Sequence, residues 1–392
     1  MEQVQNKLRE CLNQKKYLLV LDDVWNEDKR CWSNLKRLLM GGSNGSKVVI
    51  ITRSRFVAKI TSPILTYFLR GLSKNQSWSL FKQIAFEKGQ ETIDPKLVEI
   101  GMDILGKCYG VPLAIKMIGG ILYVKETEDE WSNFKDQELT NVTQEENDIL
   151  PILKLSYDHL PSHLKYCFAY CSLFPKDHYE IPKSMLIQLW IVQGFIQSSD
   201  GTQQLEDIAS KYCKDLHWRS FFQEAKEDKF GNIISFKMHD LIHDIAQLVS
   251  RFECTYVDSN EKVVNEKVRH LSFQFDSDLR ENLSSFVKAM KIRTFLKFGH
   301  ESLQEESTLK KLISSFRCLR VLDLRGLEIV TIPNSINKLI YLKYLDLSYN
   351  DIEVLPNSFI RLVNLQTIKL SWCQKLKKLP RLKFSLILSL DW

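Results

Sequence analysis

Two carboxylates, Asp22 and Asp23, close the apolar run K-K-Y-L-L-V-L-D-D-V-W, Lys15 to Trp25. The run has the length of one buried strand. Acids at its end suit a magnesium ion and its waters beside a nucleotide, because hard cations take oxygen ligands. The next strand-like run, Lys47 to Thr52, is followed by Arg53. An arginine at the tip of a neighbouring parallel strand stands at the carboxyl edge, where open α/β sheets bind ligands. Its planar fork can read a terminal phosphate by paired hydrogen bonds.

A second candidate is M-H-D-L-I-H-D, Met238 to Asp244. His239 and His243 are four apart and would share a helical face, similar to H-E-x-x-H with Asp240 in place of Glu. Aspartate is a methylene shorter than the usual base, and the sequence offers no evident third ligand. A capped amphipathic helix that buries Leu241, Ile242 and Ile245 accounts for the pattern without a metal. Cys167 and Cys171 share a face with Phe168, Leu173 and Phe174 nearby and read as packed thiols.

The phosphate cradle that should accompany the acids is missing. G-x-x-x-x-G-K-[ST] occurs nowhere in the 392 residues. A decoy, Gly41 to Lys47, has Lys47 after Ser46 and leads into a strand, whereas a cradle must open a helix.

Four textures follow one another along the chain. Residues 1–70 alternate helix, strand, helix and strand, which implies parallel pairing with a crossover. Residues 71–147 are helical, opened by a Ser73/Gln76 capping box and turned at Gly110 and Pro112. The acidic run Lys125 to Glu130 reads as solvated surface. Residues 148–260 combine short helices with a hairpin turning near Gly231-Asn232, consistent with a winged helix. Residues 261–392 repeat: L-R-V-L-D-L at Leu319, L-K-Y-L-D-L at Leu342 and L-Q-T-I-K-L at Leu365 recur every 23 residues, with Pro333 and Pro356 keeping the interval. That period and the L-x-x-L-x-L core match leucine-rich repeats. Weaker repeats begin at Val268 and Ile292. The end, Phe384 to Trp392, carries no polar cap, so the solenoid reads as cut short there.

With 44% hydrophobic and 26% charged residues, the composition gives ample core for about two to four domains. Net charge +6 makes no strong case for a nucleic-acid partner. Few Lys or Arg lie in 181–222, which disfavours a winged-helix DNA binder. Nine cysteines without a CxxC pair suggest reduced thiols. The start lacks an apolar signal core, and Ile181 to Ile196 is too short to span a bilayer, so no integral membrane segment is expected. The expected location is cytoplasmic.

Several blocks, in order, resemble plant disease-resistance proteins of the coiled-coil, nucleotide-binding (NB-ARC), leucine-rich-repeat class. L-L-V-L-D-D-V-W from Leu18 is similar to their second kinase motif, and G-S-K-V-V-I-I-T-R from Gly45 to the strand and sensor arginine after it. L-S-K-N-Q-S-W-S-L-F from Leu72, G-V-P-L-A-I from Gly110, C-F-A-Y-C-S-L-F-P-K-D from Cys167 and M-H-D from Met238 follow. The resemblance implies a multidomain α/β and α architecture: a partial P-loop-NTPase-like parallel sheet, a helical domain, a winged-helix domain and a leucine-rich-repeat solenoid. It implies Asp22 as the magnesium-site acid, Asp23 as the residue polarising water, Arg53 at the phosphate end, Pro112 on adenine and His239 on the ADP β-phosphate. The implied cofactors are ADP and ATP with Mg2+. The implied role is an intracellular immune receptor held closed by ADP and opened by ATP exchange, with a pathogen effector or guarded host protein as partner and self-association on opening. The family is a slow switch ATPase. Against that pattern the sequence reads as truncated at both ends, without the first strand and phosphate loop, so catalysis and nucleotide retention are not expected of it. The alternative is a nucleotide-independent interaction scaffold or decoy built on the winged helix and repeats.

Overall fold

The structure, a computed structural model, describes residues 2–86, 94–140, 149–176, 179–198, 202–257, 264–274, 286, 289–299, 306–379 and 387–389. The chain divides into two compact units, Met1–Arg70 and Gly71–Trp392.

In the first unit, α1 (Glu2–Leu12) precedes β1 (Leu18–Leu21), α2 (Lys29–Leu39), β2 (Lys47–Ile50) and α3 (Arg55–Ile60). Asp28 caps α2 by accepting the Arg30 N–H, and Trp32 Nε1 donates to the Asn26 carbonyl at 2.7 Å. β1 and β2 pair in parallel, from Leu18 opposite Lys47 to Leu21 opposite Ile50. The apolar runs suggest fully buried strands, and this differs from the structure. Leu18 and Val20 on β1, and Val48 and Val49 on β2, are exposed. Two strands with one crossover helix cannot cover both faces of a sheet.

The second unit opens with a helical layer: α4 (Lys74–Ala85), α5 (Pro95–Gly106), α6 (Pro112–Leu122) and α7 (Glu128–Asn133), which runs into a π-helical turn over Phe134–Leu139. Ser73 and Gln76 form the reciprocal capping box expected at α4. Thr127 and Glu130 form another, so part of the acidic run serves to start α7. Phe81, Ile104, Ile118, Trp131 and Phe134 fill this layer's core.

Next come α8 (Leu150–Asp158), α9 (Ser162–Tyr170), α10 (Lys183–Gln193), α11 (Leu205–Trp218) and α12 (Asp240–Ser250). A small sheet, ordered β3 (Ile181–Pro182), β5 (Ile233–Lys237), β4 (Gln223–Glu227), pairs antiparallel. Its hairpin turns where expected: Asp228 Oδ1 accepts the N–H groups of Phe230 and Asn232, and Gly231 supplies φ +79°. Helices plus this wing give the winged-helix form.

Seven parallel strands build the last layer: β6 (Cys254–Val257), β7 (His270–Phe273), β8 (Thr294–Lys297), β9 (Val321–Asp323), β10 (Tyr344–Asp346), β11 (Thr367–Lys369) and β12 (Ile387–Ser389). A helix, α13 (Glu306–Ser315), lies between β8 and β9 in the chain. β6 begins inside the range whose texture reads as winged helix. The expected boundaries at 147/148 and 260/261 lie outside the described residues, as does most of Phe384–Trp392. Pro333 and Pro356 each precede a 3₁₀ turn, Asn334–Lys338 and Asn357–Arg361, which explains their shared interval.

Strand alternation splits the repeat residues between two cores. Leu322 and Leu345 point into the solenoid. Leu296, Phe298, Val321 and Tyr344 project from the opposite face and pack with Leu186 and Trp190 of the winged helix. The concave surface of the central repeats is therefore covered by the chain's own winged helix. Polar contacts line the same boundary. Asp323, fully buried, receives Arg325 Nη2 at 2.6 Å, and Arg325 Nη2 also lies 3.7 Å from Met185 Sδ.

Candidate functional site at the carboxyl edge of the parallel strands

β1 stops at Leu21 because the chain turns at once. Asp22 Oδ1 accepts the Asp23 N–H at 2.9 Å, and Asp23 adopts φ +49°, a left-handed conformation that aspartate tolerates better than most residues. Pairing with the neighbouring strand continues past the turn: the Val24 N–H donates to the Ile51 carbonyl at 3.0 Å. The Thr52 hydroxyl donates to the Val24 carbonyl at 2.6 Å. These bonds hold Arg53 beside the acids. Arg53 Nη2 lies 3.6 Å from Asp23 Oδ1, and the guanidinium stands 5.3 Å from the Trp25 ring centre. The Arg53 side chain is 40% exposed, so an ion pair there contributes at most about 1 kcal/mol and can yield to a stronger anion. Asp22 is exposed and presents oxygen to solvent.

Three of the five residues singled out in the sequence thus meet at one rim. Trp25 is an addition: it follows the acids and gives Arg53 an aromatic face, a role that the D-D-V-W spacing signals but does not specify. A cation–π contact at an exposed site is worth about 0.5–1 kcal/mol.

Pro112 occupies the first turn of α6, where its missing N–H costs nothing, and its ring is exposed. The turn before it is tight. Gly110 has φ +71°, its carbonyl accepts the Leu72 N–H at 2.8 Å, and a Cβ there would fall 2.4 Å from the Leu72 oxygen.

His239 is not inside a helix, which corrects the shared-face reading of Met238–Asp244. It caps α12, its Nδ1 accepting the Leu241 N–H at 3.2 Å. In the neutral ring this assignment leaves the hydrogen on Nε2, a donor. His243 is buried within α12 with Nε2 2.7 Å from the Phe174 carbonyl, and burial holds its pKa below the usual value. The two rings therefore have separate local tasks. Among the described residues no group of three His, Cys, Asp or Glu side chains is arranged to hold a metal. Cys167 and Cys171 are fully buried, with thiol pKa values pushed up by burial. All nine cysteines are free thiols.

Asp22 and Asp23 fit a magnesium ion that takes one or two carboxylates and fills its other positions with water and phosphate oxygens. Arg53 fits the phosphate. No helix among the described residues is long and apolar enough to cross a membrane.

Comparison with known proteins matches three stretches of the chain. The NB-ARC domain matches residues 1–91, the disease resistance protein winged helix domain 173–246, and the leucine rich repeat 317–374. The putative disease resistance protein RGA1 of Solanum bulbocastanum is 41% identical over 86% of this chain and 31% of its own length. Disease resistance protein RGA2 of the same plant is 42% identical, over 86% and 32%. Disease resistance protein RPP13 of Arabidopsis thaliana is 33% identical, over 83% and 38%. The chain spans about a third of the length of these relatives. With three domain matches in the order of the fold and relatives of one kind, the chain belongs to the plant disease-resistance proteins that join an NB-ARC domain, a winged helix and leucine-rich repeats.

Proposed function

We propose that this chain supplies the switch and recognition region of a plant intracellular immune receptor, working in the cytoplasm. The observation that carries the reading is the rim where Asp22, Asp23, Trp25 and Arg53 converge in a chain of this family. In it, Asp22 holds magnesium through its exposed carboxylate, and Asp23 orients water beside it. Arg53 exchanges its weak pairing with Asp23 for a phosphate, whose doubled charge and bidentate geometry favour the fork. Pro112 offers its exposed ring to adenine. His239 offers Nε2–H to the β-phosphate while Nδ1 stays fixed on the Leu241 amide. The repeats provide the protein-binding surface.

The test is isothermal titration of the full chain with Mg-ADP. Micromolar binding that weakens at least about tenfold, or 1.4 kcal/mol, in both Arg53→Ala and His239→Ala supports the switch. A second reading, a nucleotide-independent scaffold, draws on the winged helix and the repeats, which share a hydrophobic core that uses no residue of the Asp22–Arg53 rim. No heat at millimolar ADP selects the scaffold.

A further inference from the structure

Tyr349 and Trp372 stand on successive repeats with their rings 10° from parallel and 6.3 Å apart between centres. The Gly326 N–H donates to the Ser348 carbonyl and the Tyr349 N–H to the Ser371 carbonyl, each at 2.9 Å. Gly326, Tyr349 and Trp372 therefore occupy equivalent places on three neighbouring turns. All three have left-handed backbones, with φ of +60°, +59° and +60°. Glycine takes that conformation freely, whereas a bulky side chain is strained in it. Burial does not return the cost, because Tyr349 is 60% and Trp372 47% exposed. The ring pair offsets part of it. Strain kept at an exposed position points to a task beyond folding.

One side of Tyr349 is open. Trp372 lies toward the next repeat. Toward the preceding one stands Gly326, where an added Cβ would be 4.0 Å from Tyr349 Cβ, with no other atom of the described residues nearer. A planar group fits the room that a side chain at 326 would fill. Glu328, two residues on, is exposed and also left-handed, at φ +58°. The Leu327 and Ile329 amides on either side of it both donate to Asn350 Oδ1, which holds Glu328 beside the Tyr349–Asn350 turn. Among the described residues Glu328 forms no ion pair, while its charged neighbours are taken: Asp351 by Lys375 and Glu353 by Lys377, each at 2.8 Å, and Arg325 by Asp323. The first unit shows what a ring and a carboxylate together hold, since Arg53 stands 5.3 Å from the Trp25 ring centre and 3.6 Å from Asp23 Oδ1. At Tyr349 the ring and the acid are present and the cation is not. Glu328 repels an anion, and an uncharged ring would desolvate its carboxylate without pairing it. A lysine ammonium is compact, strongly hydrated and has no plane to stack. A guanidinium is planar and uses ring and carboxylate at once.

We infer that Tyr349, Trp372 and Glu328 form a docking site for an arginine side chain of a partner protein, its guanidinium laid on the open face of Tyr349 above Gly326 and paired with the Glu328 carboxylate. Trp372 backs the Tyr349 ring from the other side. The inference rests on the reading of the repeats as a protein-binding surface and names one side chain that this surface takes. It requires no nucleotide.

The experiment uses the full chain without nucleotide and an acetylated, amidated pentapeptide with one central arginine between glycines and serines, followed by saturation-transfer NMR, which reads weak binding. The expected result is saturation of the arginine side-chain protons, with affinity that falls about tenfold or more in Tyr349→Gly and in Glu328→Gln and weakens in high salt. The same peptide with citrulline, which keeps the plane without the charge, or with lysine, which keeps the charge without the plane, should bind about tenfold more weakly or not at all. Gly326→Tyr places a ring in the open room and should block the peptide while Tyr349 and Glu328 stay in place. Tyr349→Gly sits at a backbone that glycine prefers, so its melting temperature should hold or rise while binding is lost, which separates docking from folding. No saturation of the arginine, equal binding of the citrulline or lysine peptide, or binding that survives Tyr349→Gly overturns the site. Its failure leaves other repeat surfaces available to a protein, and silence toward Mg-ADP in the separate titration sinks the switch and leaves this site standing.

Discussion

The Tyr170 hydroxyl lies 3.0 Å from the Thr294 hydroxyl, across 124 residues of chain and across the boundary between winged helix and solenoid. Thr294 is fully buried and is also 2.8 Å from Gln193 Nε2 and 2.9 Å from His270 Nδ1. One hydroxyl can accept two hydrogen bonds and donate one, so donation from Gln193 and Tyr170 and acceptance by His270 use Thr294 fully. Thr294→Val keeps the shape and orphans three buried partners. It should cost about 2–4 kcal/mol in denaturant unfolding, and adding Tyr170→Phe should return part of that. Strict additivity of the two changes would show that no bond joins them.

The same boundary sets an acid response. Burial, and then the charges of Arg293, Arg320 and Arg269, lower the His270 pKa from 6.5 to about 3. Between these values the unfolded chain holds a proton that the folded chain refuses. Stability from the neutral ring is thus present above 6.5 and lost at about 1.4 kcal/mol per unit as pH falls toward 3. Asp323 works in the opposite sense, since burial raises its pKa from 3.8 to about 6 and the folded chain binds that proton first. Between pH 6 and 3.8 the two effects oppose each other. Asp323→Asn should therefore steepen the loss of stability in that interval, measured as denaturant midpoints over a pH series. Parallel curves for the two proteins would contradict the assignment.

Asn350 is a structural residue whose role the repeat spacing alone does not reveal. Its amide donates to the Leu324, Leu347 and Ser348 carbonyls, and its oxygen accepts from the Leu327 and Ile329 amides. One buried side chain thereby satisfies backbone groups of two neighbouring repeats. Asn350→Ala should destabilise by about 3 kcal/mol or more. Thermal melting checks it, and a shift of under a degree would deny the role. Cys373 takes the equivalent place one repeat later, with Sγ 3.2 Å from the Leu347 carbonyl. Cys373→Ala should cost less, since a thiol is a weak donor.

Gly110→Ala should destabilise the helical layer by about 2–4 kcal/mol, because φ +71° disfavours a side chain and the added carbon would meet the Leu72 backbone. Proteolysis of the Leu72–Pro112 region, faster in the variant, is the readout. Gly106→Ala, with nothing within 4 Å of the added carbon, is the control and should be neutral or stabilising.

Local sequence determined a great deal. Parallel pairing followed from two apolar runs separated by an amphipathic helix, and the repeat strands from a leucine period that only a stacked solenoid can bury. Caps at Ser73 and the turn at Gly231 are short-range chemistry, fixed by side chains within a few residues of the backbone groups they serve. The proximity of Arg53 to Asp23 was legible too, because parallel neighbours end at the same edge. Other features depend on contacts between residues far apart in sequence. A period marks which repeat residues face out but not what covers them, so the packing of Val321 and Tyr344 against Trp190 was invisible. His239 and His243 looked equivalent by spacing, and the helix start between them made one a cap and the other a buried ring. The alignment of Arg269, Arg293, Arg320 and Lys343 on neighbouring strands needed strand register, since they stand 23 to 27 residues apart and no local pattern relates them.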